Sequence, residues 1–238
     1  MNMPTSSFSA HLRAVADPIW RAQHDHPFVR GIGDGTLDPR KFAHWLRQDY
    51  LYLIDYSRLF ATAVLRAPDL AAMTRFSSLL HATLTHEMEL HRSYVAEFGI
   101  TVADLERETK APTTQGYTDF LLRTATAGDY AELLGALLPC TWGYSEVGSE
   151  LARRGMPSDE RYARWIGMYA DPEFAQLADW CRALTDEACA GLPQAALDRV
   201  EAAFVTASRY ELAFWEMAWM GERWPDESAA AADDEVSG

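Results

Sequence analysis

Cys140 follows Pro139 inside an apolar run, residues 136–150, that otherwise repeats with helical period. Proline within a helix removes a backbone donor and crowds the carbonyl one turn back, so the spacing predicts a kink with a free backbone acceptor beside the thiol. A lone cysteine is most often a small buried hydrophobe, and this segment taken alone favours that reading. Two carboxylates change the balance. Asp49 shares its helix face with Phe42, Trp45, Leu46, Tyr52, Leu53 and Tyr56, and Glu211 shares its own with Phe204, Ala207, Ser208, Phe214, Trp215 and Ala218. A carboxyl in apolar surroundings must find a partner or take up a proton, and its pKa moves toward the range where it can both give and receive one. Cys140 has Tyr144 on its own face, and Gly143 there leaves open space for a planar ligand. A thiol, two carboxyls and several tyrosines lining one cavity would suit covalent catalysis on a flat heterocycle. A salt bridge that merely satisfies Asp49, and tyrosines that merely fill the core, are the alternatives.

The seven histidines, at 11, 24, 26, 44, 81, 86 and 91, all lie in the first 91 residues. Glu87 and His91 stand one turn apart and raise the question of a metal, but a di-iron helical site repeats its Glu-x-x-His pair in the second half, which holds no histidine. No metal is therefore expected, and His91 is read as a pocket-edge or capped core residue. A Cys–His pair with His86 or His91 stays open.

The elements that must position these groups all read as helices. Residues 8–24, 38–66, 69–98, 112–127, 129–153, 158–169, 172–190 and 193–221 carry apolar positions three and four apart, and no stretch alternates with period two. Asp38-Pro39 and Asp171-Pro172 each place a capping carboxylate before a proline at the first helical position. Residues 26–36 are glycine-rich but lack a preceding strand and the phosphate-loop Lys-Ser/Thr ending, so they are read as a helix-to-helix turn. The expected organisation is a flexible N-terminus over 1–7, one all-α domain over 8–224 and a disordered acidic tail over 225–238.

With 238 residues, 48% of them hydrophobic, the chain can bury roughly 70–75% of its unfolded surface in one core. The net charge of −14, from 35 acidic against 21 basic side chains, repels phosphate backbones and argues against nucleic acid as a partner. No apolar run nears membrane-spanning length, and residues 1–8 do not read as a signal peptide, so a cytoplasmic protein with no membrane partner is expected. Three cysteines at no metal-binding spacing fit free thiols in a reducing compartment.

Several separate signatures, in order, give the chain a family resemblance: His26-Pro-Phe-Val with Gly33-Asp-Gly-Thr-Leu37, Gln48-Asp-Tyr-Leu-Tyr-Leu53, Glu87-Met-Glu-Leu-His91, Leu138-Pro-Cys-Thr-Trp142 with Tyr144 and Glu146, Trp165-Ile-Gly-Met-Tyr169, and Tyr210-Glu-Leu-Ala-Phe-Trp215. Over residues 8–224 the chain resembles the TenA, or thiaminase II, family of aminopyrimidine aminohydrolases. The resemblance implies a haem-oxygenase-like all-helical bundle, a homotetramer, and no haem, metal or other cofactor. It implies hydrolysis at the pyrimidine 5-methylene carbon of thiamine or of 4-amino-5-aminomethyl-2-methylpyrimidine, releasing hydroxymethylpyrimidine for thiamine salvage. It further implies that Cys140 is the nucleophile, which places the chain in the cysteine branch, and that Glu211 is the acid/base. Asp49, Tyr52, Tyr117, Tyr144, Tyr169, Phe214 and His91 are implied to contact substrate. Leu51 and Thr141 stand where the family often has aromatics. A regulatory binding protein and a helical oxidase holding haem, two irons or a quinone precursor are the rival classes; the acidic charge and lack of a basic recognition helix weigh against direct DNA contact.

Overall fold

The computed structural model describes residues 7–225, and these form twelve α-helices and no strand. They are α1 (Phe8–Val15), α2 (Asp17–Asp25), α3 (Pro27–Asp34), α4 (Pro39–Arg66), α5 (Leu70–Ala82), α6 (Met88–Ala96), α7 (Val102–Arg107), α8 (Pro112–Ala127), α9 (Tyr130–Arg154), α10 (Glu160–Tyr169), α11 (Pro172–Cys189) and α12 (Gln194–Met220). A single π-helical turn, Thr83–Glu87, joins α5 to α6. The expected tail over 225–238 and the first six residues lie outside the described residues, apart from Pro225.

Helix α9 runs through the bundle against α8, α10, α11 and α12, while α4 packs on α5, α6, α8 and α12. These two long helices carry the thiol and Asp49. Both starts written as Asp-Pro are caps: Asp38 accepts from the Arg40 amide and Asp171 from the Glu173 amide, each satisfying a donor of the first turn. Trp45 of α4 stacks on Trp215 of α12 with ring centres 6.1 Å apart and planes 10° from parallel. Both indoles are fully buried, so this contact fixes α4 against α12 with a large apolar area removed from water.

Four features depart from the sequence reading. Residues 27–34 are a helix, started by Pro27 and capped by the His26 ring, which accepts from the Phe28 amide; the glycines end it, with Gly35 in the left-handed region at φ 71°. The stretch 8–24 breaks at Ala16, where Pro18 begins a new helix. The stretch 69–98 is interrupted by the π turn, which apolar periodicity does not reveal. Helix α7, opened by a reciprocal cap between Thr101 and Asp104, was not anticipated. Helix α9 runs unbroken through Pro139.

Candidate active site

The helices enclose a cavity of about 310 Å³ whose wall includes Cys140. Asp49, Tyr52 and Tyr56 enter from α4, Cys140, Thr141 and Tyr144 from α9, Tyr169 from α10, and Thr83 and Glu87 from the π turn. Leu79, Met168, Phe174 and Leu177 supply an apolar, half-exposed outer side. Tyr169 reaches the cavity because α9 and α10 touch backbone to backbone. A Cβ on Gly148 would lie 2.6 Å from the Tyr169 backbone, so any larger residue would push α10 away.

Glu211 meets the thiol from behind this wall. It is 2% exposed, and the Tyr117 hydroxyl donates to its Oε1 at 2.6 Å. Burial pushes the Glu211 carboxyl up to about 8; hydrogen bonds from Tyr117 and the Cys140 thiol oppose this, and the charge of Asp49 adds to it. The acid is thus largely protonated at neutral pH, the condition for donating a proton to a ligand nitrogen. The thiol is likewise held neutral: burial and then the neighbouring Glu211 push its pKa well above the ordinary value, against weaker opposing help from Tyr52 and Tyr56. A thiol held neutral in this way would have to lose its proton before its sulfur could attack a ligand.

Asp49 is handled differently. The His91 imidazole bonds its Oδ2 through Nε2 at 2.5 Å, and His91 Nδ1 donates to the Glu87 carbonyl at 3.0 Å. Burial works against a charged imidazole here, but the hydrogen bond and charge of Asp49, joined by Glu87, outweigh it and raise the His91 pKa. Both ring nitrogens then donate, and the pair is a neutralised imidazolium–carboxylate. With both nitrogens committed, His91 has no lone pair for the metal role that the Glu87–His91 spacing suggested.

Of the residues singled out in the sequence, Cys140, Asp49, Tyr52, Tyr144 and Tyr169 line the cavity. Tyr117, Phe214 and Glu211 stand one layer behind: the Tyr52 ring centre is 5.2 Å from that of Tyr117 and 5.8 Å from that of Phe214. His91 is also in this layer, holding Asp49. Leu51 packs on the core rather than on the cavity. Gly143 does not open toward a ligand; its face looks at Gln23 of α2, 4.0 Å from where a Cβ would be, because α9 turns that side toward α2. Sequence reasoning did not place Thr83, Glu87, Met168, Phe174 or Leu177 in the wall. For Glu87 the spacing to His91 is visible but bears only on a metal pair that the sequence itself sets aside; for the others no pattern marks them.

The model of the TENA/THI-4/PQQC family matches residues 13–221. The chain is 48% identical over 221 residues to the aminopyrimidine aminohydrolase of Halalkalibacterium halodurans, covering 92% of this chain and 98% of that one. It is 33% identical to the aminopyrimidine aminohydrolase of Bacillus subtilis over 95% of this chain and 96% of that protein. Among solved structures, a TenA homologue from P. horikoshii OT3 superposes with a TM-score of 0.83 at 32% identity, covering 90% of this chain and 99% of the other. A protein from Shewanella denitrificans with a heme oxygenase-like fold, at 15% identity and a TM-score of 0.70 over 89% of this chain and 92% of the other, shares the fold alone. By sequence, by the haem-oxygenase-like helical fold and by the match across nearly its whole described length, the chain belongs to the TENA/THI-4/PQQC family.

Proposed function

We propose that the chain is an aminopyrimidine aminohydrolase of the thiaminase II type, cleaving the C–N bond at the pyrimidine 5-methylene and releasing hydroxymethylpyrimidine. The observation that carries the mechanism is the contact between the Cys140 thiol and the protonated Glu211 carboxyl beside a cavity sized for a small ring. A methylene on an aromatic ring resists direct displacement by water. Adding sulfur to ring carbon 6 breaks aromaticity and opens another route. Because the thiol rests neutral, Glu211 acts as a relay: one oxygen gives a proton to the ring nitrogen next to carbon 6 while the other takes the proton of sulfur. The net change is addition of S–H across the C=N bond.

Electrons fed from the 4-amino group then expel the leaving nitrogen and form an exocyclic methylene. Asp49 accepts a hydrogen bond from that amino group, and the bond strengthens as the nitrogen becomes positive, so its stabilisation is greatest in the transition state. Water adds to the methylene and gives its proton to the departed amine or to solvent as the 4-amino group returns to neutrality; the relay then runs backward, taking the proton from the ring nitrogen and returning one to sulfur as the C–S bond breaks. Tyr52, Tyr144 and Tyr169 present ring faces that hold the pyrimidine and exclude stray water. The test is release of hydroxymethylpyrimidine from thiamine and from the aminomethyl pyrimidine: wild-type protein turns over at least one, and Cys140→Ser falls by at least about a hundredfold with unchanged circular dichroism. Near-normal turnover in the serine variant would remove the covalent route.

Residence in the cytoplasm and assembly as a homotetramer belong to the same proposal. Among the described residues no helix is long and apolar enough to cross a membrane. A solution mass four times that of one chain is the expected result for the assembly.

A further inference from the structure

We propose that Glu87 determines which leaving group is accepted, its carboxylate receiving the ammonium of an aminomethyl substrate at the cavity wall. The inference rests on the aminohydrolase reading and adds to it a residue which that mechanism leaves unused. Two carboxylates line the cavity, Asp49 and Glu87, and no Lys, Arg or His is among the lining residues. Asp49 is matched by His91. Among the described residues no Lys or Arg pairs with Glu87: around it stand the Thr83 hydroxyl of the π turn, His91 of α6, already engaged, Asp49 of α4 and Tyr169 of α10. The wall therefore carries one carboxyl beyond what its own cation neutralises, a complement for a ligand with a single positive charge.

Ring order gives the same assignment. In the pyrimidine, the nitrogen bonded to carbon 6, carbon 6 itself, the 5-methylene and the 4-amino group are consecutive around the ring. In the protein, Glu211 touches Cys140, and Glu87 interacts with Asp49. With the nitrogen facing Glu211, carbon 6 facing sulfur and the amino group on Asp49, the methylene substituent lies between Cys140 and Asp49, inside the cavity whose wall Glu87 shares with both. Thr83 and Glu87, the first and last residues of the π turn, both line the cavity. Burial raises the Glu87 carboxyl pKa, His91 pulls it down and Asp49 adds to the rise.

Bond breaking balances without any further reagent. Held as an ammonium, the nitrogen departs as neutral ammonia: the C–N bond breaks, its electron pair stays on nitrogen, and the ring electrons form the exocyclic methylene. A thiazolium also departs as a neutral ring but has no N–H to offer, so Glu87 gives it charge without hydrogen bonds. The experiment measures kcat/KM for the aminomethyl pyrimidine and for thiamine on wild type, Glu87→Gln and Glu87→Asp. The ratio of the two constants cancels differences in folded fraction. Loss of charge-assisted bonds to an ammonium predicts a fall of about thirtyfold or more for the amine in Glu87→Gln. Thiamine should fall less than about fivefold, and Glu87→Asp should recover part of the ratio. An equal ratio in all three proteins overturns the assignment while leaving the aminohydrolase reading intact. Turnover of neither compound by wild type overturns both, and the two failures are thereby distinguished.

Discussion

Glu211 and Asp49 are both inward carboxyl groups in the same aromatic core, and they solve burial in opposite ways. Glu211 faces a phenol and a thiol, which can share a proton with it but cannot match its charge, and it keeps its own proton up to about pH 8. Asp49 faces His91, itself anchored on the Glu87 carbonyl, and forms an ion pair. Depth does not separate them, since they are 2% and 5% exposed. The partner's protons do. One end of the site is supplied with a movable proton and the other with a fixed charge, the division of labour that the proposed reaction needs if it first protonates a ring and then stabilises a cation.

The sharpest way to break this contrast is Glu211→Gln, which keeps shape and removes the proton carrier. Turnover should fall at least about a hundredfold. The stability sign is opposite. A carboxyl raised from 4.5 to about 8 stabilises the fold below pH 4.5 and loses that contribution as pH climbs to about 8. The glutamine variant should therefore gain on wild type between pH 5 and 8.5 by on the order of 3 kcal/mol in urea unfolding. A constant difference across that range would show that Glu211 titrates normally.

His91→Ala tests the other end. Removing one member of a pair whose side chains are 3% and 7% exposed should cost about 3 kcal/mol near pH 6 and raise KM about tenfold or more. Because the His91 pKa is raised, its stabilisation is fully present below the ordinary value of 6.5 and fades as pH passes the raised one, so the gap between wild type and variant should narrow in alkaline buffer. A gap that widens there would reverse the charge assignment. The smallest effect is expected from Tyr117→Phe. Its hydroxyl lowers the Glu211 pKa, so the variant should move the alkaline limb of kcat/KM to higher pH, with less than about a tenfold loss at the optimum.

How much of this was legible in sequence follows from the range of the interactions. Asp38-Pro39 and Asp171-Pro172 marked helix starts because capping is settled within a turn. The inward direction of Asp49 and Glu211 was legible because a helix face is a local periodicity. That Glu211 touches the thiol, and that His91 rather than a cation from elsewhere answers Asp49, depends on how α4, α6, α9 and α12 pack, which no local pattern encodes; only the family resemblance placed these residues together. Gly143 failed for the same reason, since its face was right for a helix but wrong for the neighbour it meets. The π turn escaped because a single wide turn leaves the apolar spacing on both sides intact.

That wide turn behaves as a phase setter. Winding the same five residues, Thr83–Glu87, as α-helix at about 100° each in place of the roughly 82° of a wide turn would rotate everything after them by about 90°. The imidazole at the end of this lever would swing off its carboxylate, and the chain would keep its helices while losing the alignment between two of them. A variant that straightens this turn, with every side chain of the cavity still present in the sequence, should count as a different site.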